Sequence, residues 1–341
     1  MRKFIRIGVD LGKNFFQVHA LESEGGPVFR RKVTRAGLRK FFEETEPCLV
    51  AMEACGSAHY WGRELAAMGF EARLIPPAYV KPYVKRGKND AADAAAICEA
   101  ASRPDMRFVP IKSAQAQAAL ALHKSRELLV KQRTMTVNAL RAHLAEFGVV
   151  AAKGSRHVAA LIEKAAGDAN VPAALRAALD ALVQLIETLG REIKALEEQI
   201  AKRLAKEETC RRLMRIPGVG KIAATAIVAS LPDARVFASG RDFAAWLGLT
   251  PRQNSSGGKE RLGGVTKRGN RYLRKLLTLG GTSLLAPAHK RKGALADWIV
   301  ALCARKPKRL VSLAIANKLA RIVWATLTSG ELFRQENFAK A

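Results

Sequence analysis

The sequence is poor in acids, in paired cysteines and in clustered histidines. Its 341 residues hold 30 Asp and Glu against 58 Lys and Arg, a formal charge of +28 with a pI of about 10.4. That deficit excludes an ordinary neutral metabolic enzyme. An excess of this size repels itself unless a polyanion lies close, and nucleic acid is the commonest large polyanion of a cell. The five cysteines, Cys48, Cys55, Cys98, Cys210 and Cys303, are odd in number and never spaced as CxxC. This argues against a disulfide framework or a zinc site and fits a reducing cytoplasm. The six histidines fall at no ligand spacing, so a bound metal is expected to take oxygen ligands. No apolar stretch of signal-peptide length opens the chain, and the most apolar later segments are broken by Lys or Arg. Neither export nor a membrane partner is expected. There is also no Walker motif.

What is present is the composition of a folded protein, 49% hydrophobic and 26% charged, long enough for roughly two to three domains. Three β-type runs, Phe4–Asp10, Phe15–Ala20 and Val28–Val33, are separated by turn residues and predict an antiparallel meander. A helix at 36–46, a strand Cys48–Glu53, a helix at 58–69 and a strand Ala72–Ile75 complete a β-β-β-α-β-α-β order. That order is the RNase H-like arrangement of an α/β domain. Asn89 then marks the start of an alanine-rich helix. Residues 113–147 read as a long, polar-faced helix. From Leu175 to Leu204, through Leu179, Leu182, Ile186, Leu189, Ile193, Leu196 and Ile200, apolar residues recur at steps of four and three. This is the seam of a coiled coil, dimerising or intramolecular, ~50 Å long as one helix. The resulting plan is 1–110, an RNase H-like (RuvC-like) domain; 111–208, long helices and coiled coil; 209–330, a mainly α C-terminal domain; and 331–341, a tail.

Four acids invite a chemical reading. Asp10 ends the first strand and Glu53 ends one that would lie beside it, while Asp90 and Asp93 are three apart and share a helix face. Each alone suits a solvated strand end or a helix N-terminus. Together, in so basic a chain, they suit Mg2+ (or Mn2+), which takes hard oxygen ligands and can stabilise the attacking and leaving oxygens of a phosphodiester displacement.

Ser255-Ser256-Gly257-Gly258 precedes much of a basic run, Arg252, Lys259, Arg261, Lys267, Arg268, Arg271, Arg274 and Lys275, opposed only by Glu260. A serine hydroxyl is a weak nucleophile that needs a base, a metal or dense positive charge. The bland alternative is a flexible loop contacting phosphates. Gly218, Gly220 and Lys221, in Pro217-Gly218-Val219-Gly220-Lys221, have the form of a helix-hairpin-helix turn that grips phosphate, or of a tight turn packing two helices. Tyr79, Lys81, Tyr83, Lys85, Arg86 and Lys88 alternate aromatic and basic side chains, as a single-strand or RNA surface would, or form a solvated loop. Lys290, Arg291, Lys292, Arg305, Lys306, Lys308 and Arg309 are a further basic group.

Gly8-Val9-Asp10-Leu11-Gly12-Lys13, Met52-Glu53-Ala54-Cys55-Gly56, Lys88-Asn89-Asp90-Ala91-Ala92-Asp93-Ala94, Gly248–Lys259 and Lys267-Arg268-Gly269-Asn270-Arg271-Tyr272-Leu273-Arg274 resemble the DEDD-type insertion-sequence transposases related to the Piv invertase. The match covers nearly the whole chain. The resemblance implies a RuvC-like domain, a coiled coil and a C-terminal domain with a serine nucleophile, acting as a recombinase directed by an element-encoded guide (bridge) RNA. It implies that Ser256 forms a phosphoserine with double-stranded DNA beside Mg2+. Ser256 is preferred to its neighbour Ser255 because it directly precedes Gly257. A homodimer or homotetramer is expected, with acids from one chain and serine from another; an antiparallel helical hairpin would weaken that last inference. A hydrolytic junction nuclease and a non-enzymatic nucleic-acid scaffold are the alternatives.

Overall fold

The computed structural model describes residues 1–84, 89–290 and 292–334. It divides into two compact units, Met1–Gln117 and Ala118–Ala341.

In the first unit the meander forms as the alternation requires: β1 (Arg6–Leu11), β2 (Phe15–Leu21) and β3 (Val28–Thr34), followed by α1 (Gly37–Glu43), β4 (Leu49–Glu53), α2 (Ala58–Ala67) and β5 (Glu71–Ile75). The sheet order is β3-β2-β1-β4-β5, antiparallel through the meander and parallel from β1 to β4 to β5. This is a mixed α/β unit. Ile7, Val9, Phe16, Val18, Val50 and Met52 turn to one face and are buried with Leu38, Phe41 and Phe42 of α1 and Trp61 and Leu65 of α2. The other face holds the residues that alternate with them, including Gly8, Asp10, Ala51 and Glu53. There the short α3 (Pro77–Val80) and α4 (Asp90–Ala100) pack, and Ala96, Ile97 and Ala100 of α4 are buried with Ala51 and Ile75.

The division falls inside α5 (Ala114–Ala145). Beyond it come α6 (Val158–Ala166), α7 (Ala173–Lys206), α8 (Glu208–Leu213), α9 (Lys221–Ser230), α10 (Gly240–Trp246), the hairpin β6 (Pro251–Gln253) and β7 (Leu262–Val265), α11 (Arg271–Leu285), α12 (Ala294–Arg305) and α13 (Lys308–Ser329). The predicted seam is one helix, α7. Leu179 of α7 lies in one core with Leu140 and Leu144 near the end of α5 and with Leu161 of α6. Towards the other end of α7, Glu197 accepts a hydrogen bond from Nε of Arg126 at 2.7 Å. The two long helices therefore run antiparallel, and Leu179, Leu189, Ile193 and Ile200 are buried within a single chain. α13 has the length and composition of a membrane span, yet half of it is buried, with Val311, Ile315, Leu319 and Val323 in the C-terminal core.

A buried polar network links α5, α9 and α11. His123, 1% exposed, has Nδ1 3.1 Å from the Tyr272 hydroxyl and Nε2 3.1 Å from Thr225 Oγ1. Thr225 donates to the Lys221 carbonyl at 2.8 Å, so it accepts from Nε2–H, and the Tyr272 hydroxyl donates to Nδ1. Burial pushes the imidazole down to about 4, with Arg126 and Arg203 acting in the same direction. Between pH 6.5 and 4 the unfolded chain binds a proton that the folded one refuses. Stability present above pH 6.5 is therefore lost as pH falls towards 4, by on the order of 3 kcal/mol. Urea midpoints measured across that range should show this slope, and His123→Gln should flatten it.

Candidate active site

The four acids share one face and one field because of one missing side chain. A Cβ on Gly8 would lie 2.4 Å from the Ala94 carbonyl oxygen and 2.6 Å from the Cys98 amide nitrogen, so only glycine lets α4 cross β1 at this distance. Asp10 lies two residues further along β1. In the parallel register Val9 pairs with Met52, which sets Glu53 beside Asp10 at neighbouring strand ends, both on the face that α4 covers. Asn89 caps α4 by accepting from the Ala92 amide at 2.8 Å, and Asp90 and Asp93 occupy its first turn.

Burial pushes the Asp10 carboxyl up to about 6, and the charges of Asp90, Asp93 and Glu53 add to this in that order. The fields of all three other acids thus converge on Asp10. Among the described residues, no three His, Cys, Asp or Glu side chains are gathered tightly enough to hold a metal ion. The donor set nonetheless fits one. It consists of hard oxygens, and burial, with repulsion from the other three acids added to it, already holds one of them in its uncharged form well above the ordinary carboxylate range. A divalent cation relieves that repulsion.

Cys55 also faces this field: its thiol is pushed up by burial and by Glu53 and Asp10. Gly8 was legible only as part of a strand. Gly8→Ala should force α4 off β1, costing about 2–3 kcal/mol and displacing Asp90 and Asp93; thermal melting and a cleavage assay check both effects.

The serines lie on the β6–β7 hairpin. Gly257 and Gly258 have φ of 56° and 75°, and the Lys259 amide donates to the Ser256 carbonyl at 3.1 Å. Positive φ at both central positions is the pattern of a type I′ turn, which Gly-Gly adopts without strain. Ser255 Oγ accepts from the Arg261 amide at 3.1 Å. Ser256, at the corner of the turn, is exposed, and its hydroxyl makes no hydrogen bond among the described residues. Arg252, Lys259 and Arg261 are exposed around it.

The hairpin root is held backbone to backbone. A Cβ on Gly269 would lie 1.7 Å from the Trp246 carbonyl oxygen, and one on Gly248 2.0 Å from that of Arg268. Much of the segment 267–274 therefore serves the fold. Asn270 caps α11 by accepting from the Tyr272 and Leu273 amides, Leu273 is fully buried, and Arg274 donates to the carbonyls of Leu247 and Arg268 at 2.8 and 2.9 Å. Lys267, Arg268 and Arg271 remain exposed.

Elsewhere, Gly218 has φ of 85° and its backbone touches that of Gly280 in α11, so this turn packs two helices; Gly220 is open on its Cβ side and Lys221 is exposed. Tyr79 and Lys81 are exposed, whereas Tyr83 is half-buried with the Arg103 guanidinium 5.6 Å from its ring centre. Lys85, Arg86 and Lys88, and Arg291 of the later basic group, lie outside the described residues.

Two family models match this chain: a transposase model of the DEDD, IS110 type over residues 7–149, and the transposase IS116/IS110/IS902 family over residues 210–294. The chain is 47% identical over 336 residues to a putative transposase of Sinorhizobium fredii, covering 98% of this chain and 87% of that protein. It is 47% identical over 332 residues to a probable family 20 transposase of Pseudomonas aeruginosa, covering 96% and 98%. Against the transposase for insertion sequence element IS1328 of Yersinia enterocolitica it is 40% identical over 330 residues, again covering 96% and 98%.

Proposed function

The chain belongs to the IS116/IS110/IS902 family of transposases, and from that premise we propose that it cleaves and rejoins DNA strands through a phosphoserine on Ser256, with a divalent metal held by Asp10, Glu53, Asp90 and Asp93. The observation that carries this reading is the register that sets Glu53 beside a half-buried Asp10, with Asp90 and Asp93 in the first turn of the helix that Gly8 admits to the same face, in a chain of charge +28. In such a chain, acids kept together against their own repulsion have a use in holding a cation.

Ser256 Oγ attacks a DNA phosphorus. The Oγ–P bond forms, the bond from phosphorus to the 3′-oxygen breaks, and the hydroxyl proton passes in the balance to that leaving oxygen. The phosphoserine conserves the phosphodiester energy, so a 3′-hydroxyl of another strand displaces the serine without a nucleotide cofactor. Mg2+ or Mn2+, when bound, supplies charge stabilisation at the attacking and leaving oxygens. Arg252, Lys259 and Arg261 around the turn supply positive charge for the phosphate, and Lys267, Arg268, Arg271, Lys221 and the Tyr79–Lys81 surface supply backbone contacts that position DNA without reading its sequence.

The same reading takes the first unit as RNase H-like and RuvC-like, α7 as part of a coiled-coil segment within 111–208, and 209–330 as the serine-bearing domain. It includes a guide (bridge) RNA, and a homodimer or homotetramer in which acids and serine come from different chains. The guide RNA rests on the resemblance; the shared site rests on the ~50 Å helical segment between acids and serine, and the burial of the α7 seam within one chain leaves it with less support.

The test is a covalent one. Incubated with Mg2+ and double-stranded DNA carrying an element end, the protein should yield a denaturant-resistant protein–DNA species. Free 5′-phosphate ends with no attached protein would instead point to a hydrolytic nuclease, and no cleavage under any metal to a scaffold.

A further inference from the structure

A cavity of about 760 Å3 opens between α11, α12 and α13, within the volume range of ligand sites. Its lining is mixed in chemistry. Leu285, Val300 and Leu313 give it apolar surface; Lys308 and Arg309, from the first turn of α13, bring two cations to it; and no Asp or Glu is among its described lining residues.

The hydroxyls of Thr278 and Thr282, one turn apart on α11, and of Ser312, one turn past Lys308 on α13, also line it, as does His289. Each hydroxyl donates its proton to its own helix: Thr278 to the Arg274 carbonyl at 2.8 Å, Thr282 to the Thr278 carbonyl at 2.9 Å and Ser312 to the Arg309 carbonyl at 2.8 Å. What they turn to the cavity is therefore oxygen lone pairs, which accept.

An occupant that matches this lining combines an apolar body, N–H donors and a negative charge, as a nucleotide does. We infer that this cavity receives one unpaired nucleotide of single-stranded DNA, its base against the apolar residues and the hydroxyl oxygens and its phosphate on Lys308 and Arg309. A paired base does not fit this description, because its donor edge is already engaged and its faces are stacked. The inference takes DNA as the partner from the family reading. Its readout uses neither metal nor strand cleavage, so its failure is separable from failure of the phosphoserine reading.

Cys303 lines the cavity and is exposed, which makes it a reporter. Maleimide modification of Cys303 in the full chain, followed by peptide mapping, should be about tenfold slower with a single-stranded DNA decamer. Neither the same backbone without bases nor the decamer annealed to its complement should slow it. Val300→Trp, at an exposed position on the wall, should remove the protection, and so should Lys308→Ala combined with Arg309→Ala. Equal protection by the abasic strand, or protection surviving in folded Val300→Trp and in the double variant, would overturn the inference. Stronger protection by an RNA decamer would overturn the assignment to DNA.

Discussion

Ser256→Ala is expected to abolish the denaturant-resistant protein–DNA species and to cut strand exchange by at least about 10³-fold, the scale of losing a covalent nucleophile. Ser255→Ala is expected to keep both. The difference follows from the hairpin: Ser255 Oγ already accepts from the Arg261 amide, whereas the Ser256 hydroxyl sits at an exposed turn corner with no hydrogen bond among the described residues. Removing the first costs one exposed hydrogen bond, about 1 kcal/mol, and removing the second takes away the attacking atom. The measurement is a denaturing gel of labelled DNA after incubation with each variant. A persisting adduct in Ser256→Ala, or its loss only in Ser255→Ala, would reassign the nucleophile. If acids and serine come from different chains, mixing Ser256→Ala with Asp10→Asn protein should restore part of the activity.

Asp10→Asn should inactivate the protein and stabilise it at once. Loss of activity follows from the metal reading, since charge stabilisation worth several kcal/mol, about 10³-fold or more in rate, goes with the ligand. The gain in stability follows from linkage. The folded carboxyl titrates at about 6 against an ordinary 3.8, so the native state binds a proton more readily than the unfolded chain. Stability from this group is fully present below the unfolded value and is lost as pH rises through 6. At neutral pH ionised Asp10 therefore strains the fold, by on the order of 1 kcal/mol once its half-exposed position is discounted. Asn removes that cost. Melting temperatures should favour Asp10→Asn above pH 6 and converge with the parent below pH 4. Added Mg2+ should raise the melting point of the parent and leave the variant unchanged. A variant that melts lower at every pH would mean that Asp10 is an ordinary structural carboxylate.

Much of the fold was legible without coordinates because the signals are local. Strand alternation in Ile7, Val9, Phe16 and Val18, the Asn89 cap and the four-and-three spacing on α7 each act within a few residues of themselves, and the elements formed within a residue or two of where those signals place them. The Gly-Gly corner after Ser256 reads in the sequence only as a loop, although positive φ at two adjacent positions is a property of glycine itself. Less visible was the β6–β7 hairpin around that corner. Its short strands lie in an exposed, basic, glycine-rich stretch with no apolar alternation to announce them.

Most contacts distant in sequence were not legible, the neighbouring of Asp10 and Glu53 excepted, which follows from the strand order. The heptad pattern says that α7 has an apolar seam but not what covers it, because leucines are equally content against a second chain or their own. The structure covers it within one chain, with the antiparallel α5 over its first half and α8 and α9 packed on it as well. Residues 267–274 look like a basic binding surface, yet Arg274, Asn270 and Leu273 hold the hairpin root and α11 together. His123 carries no motif at all and becomes a buried, neutral link only through Thr225 and Tyr272, each about a hundred or more positions away. The chain's order of residues thus set the element types, the turn at Ser256 and the chemical kinds of side chain available. Whether acids on two strands and a helix would share one field was settled by packing, where the bare Cα of Gly8 lets α4 come down on β1. Short-range preferences act on neighbouring residues, whereas close approach is a property of surfaces that exist only once the chain has folded.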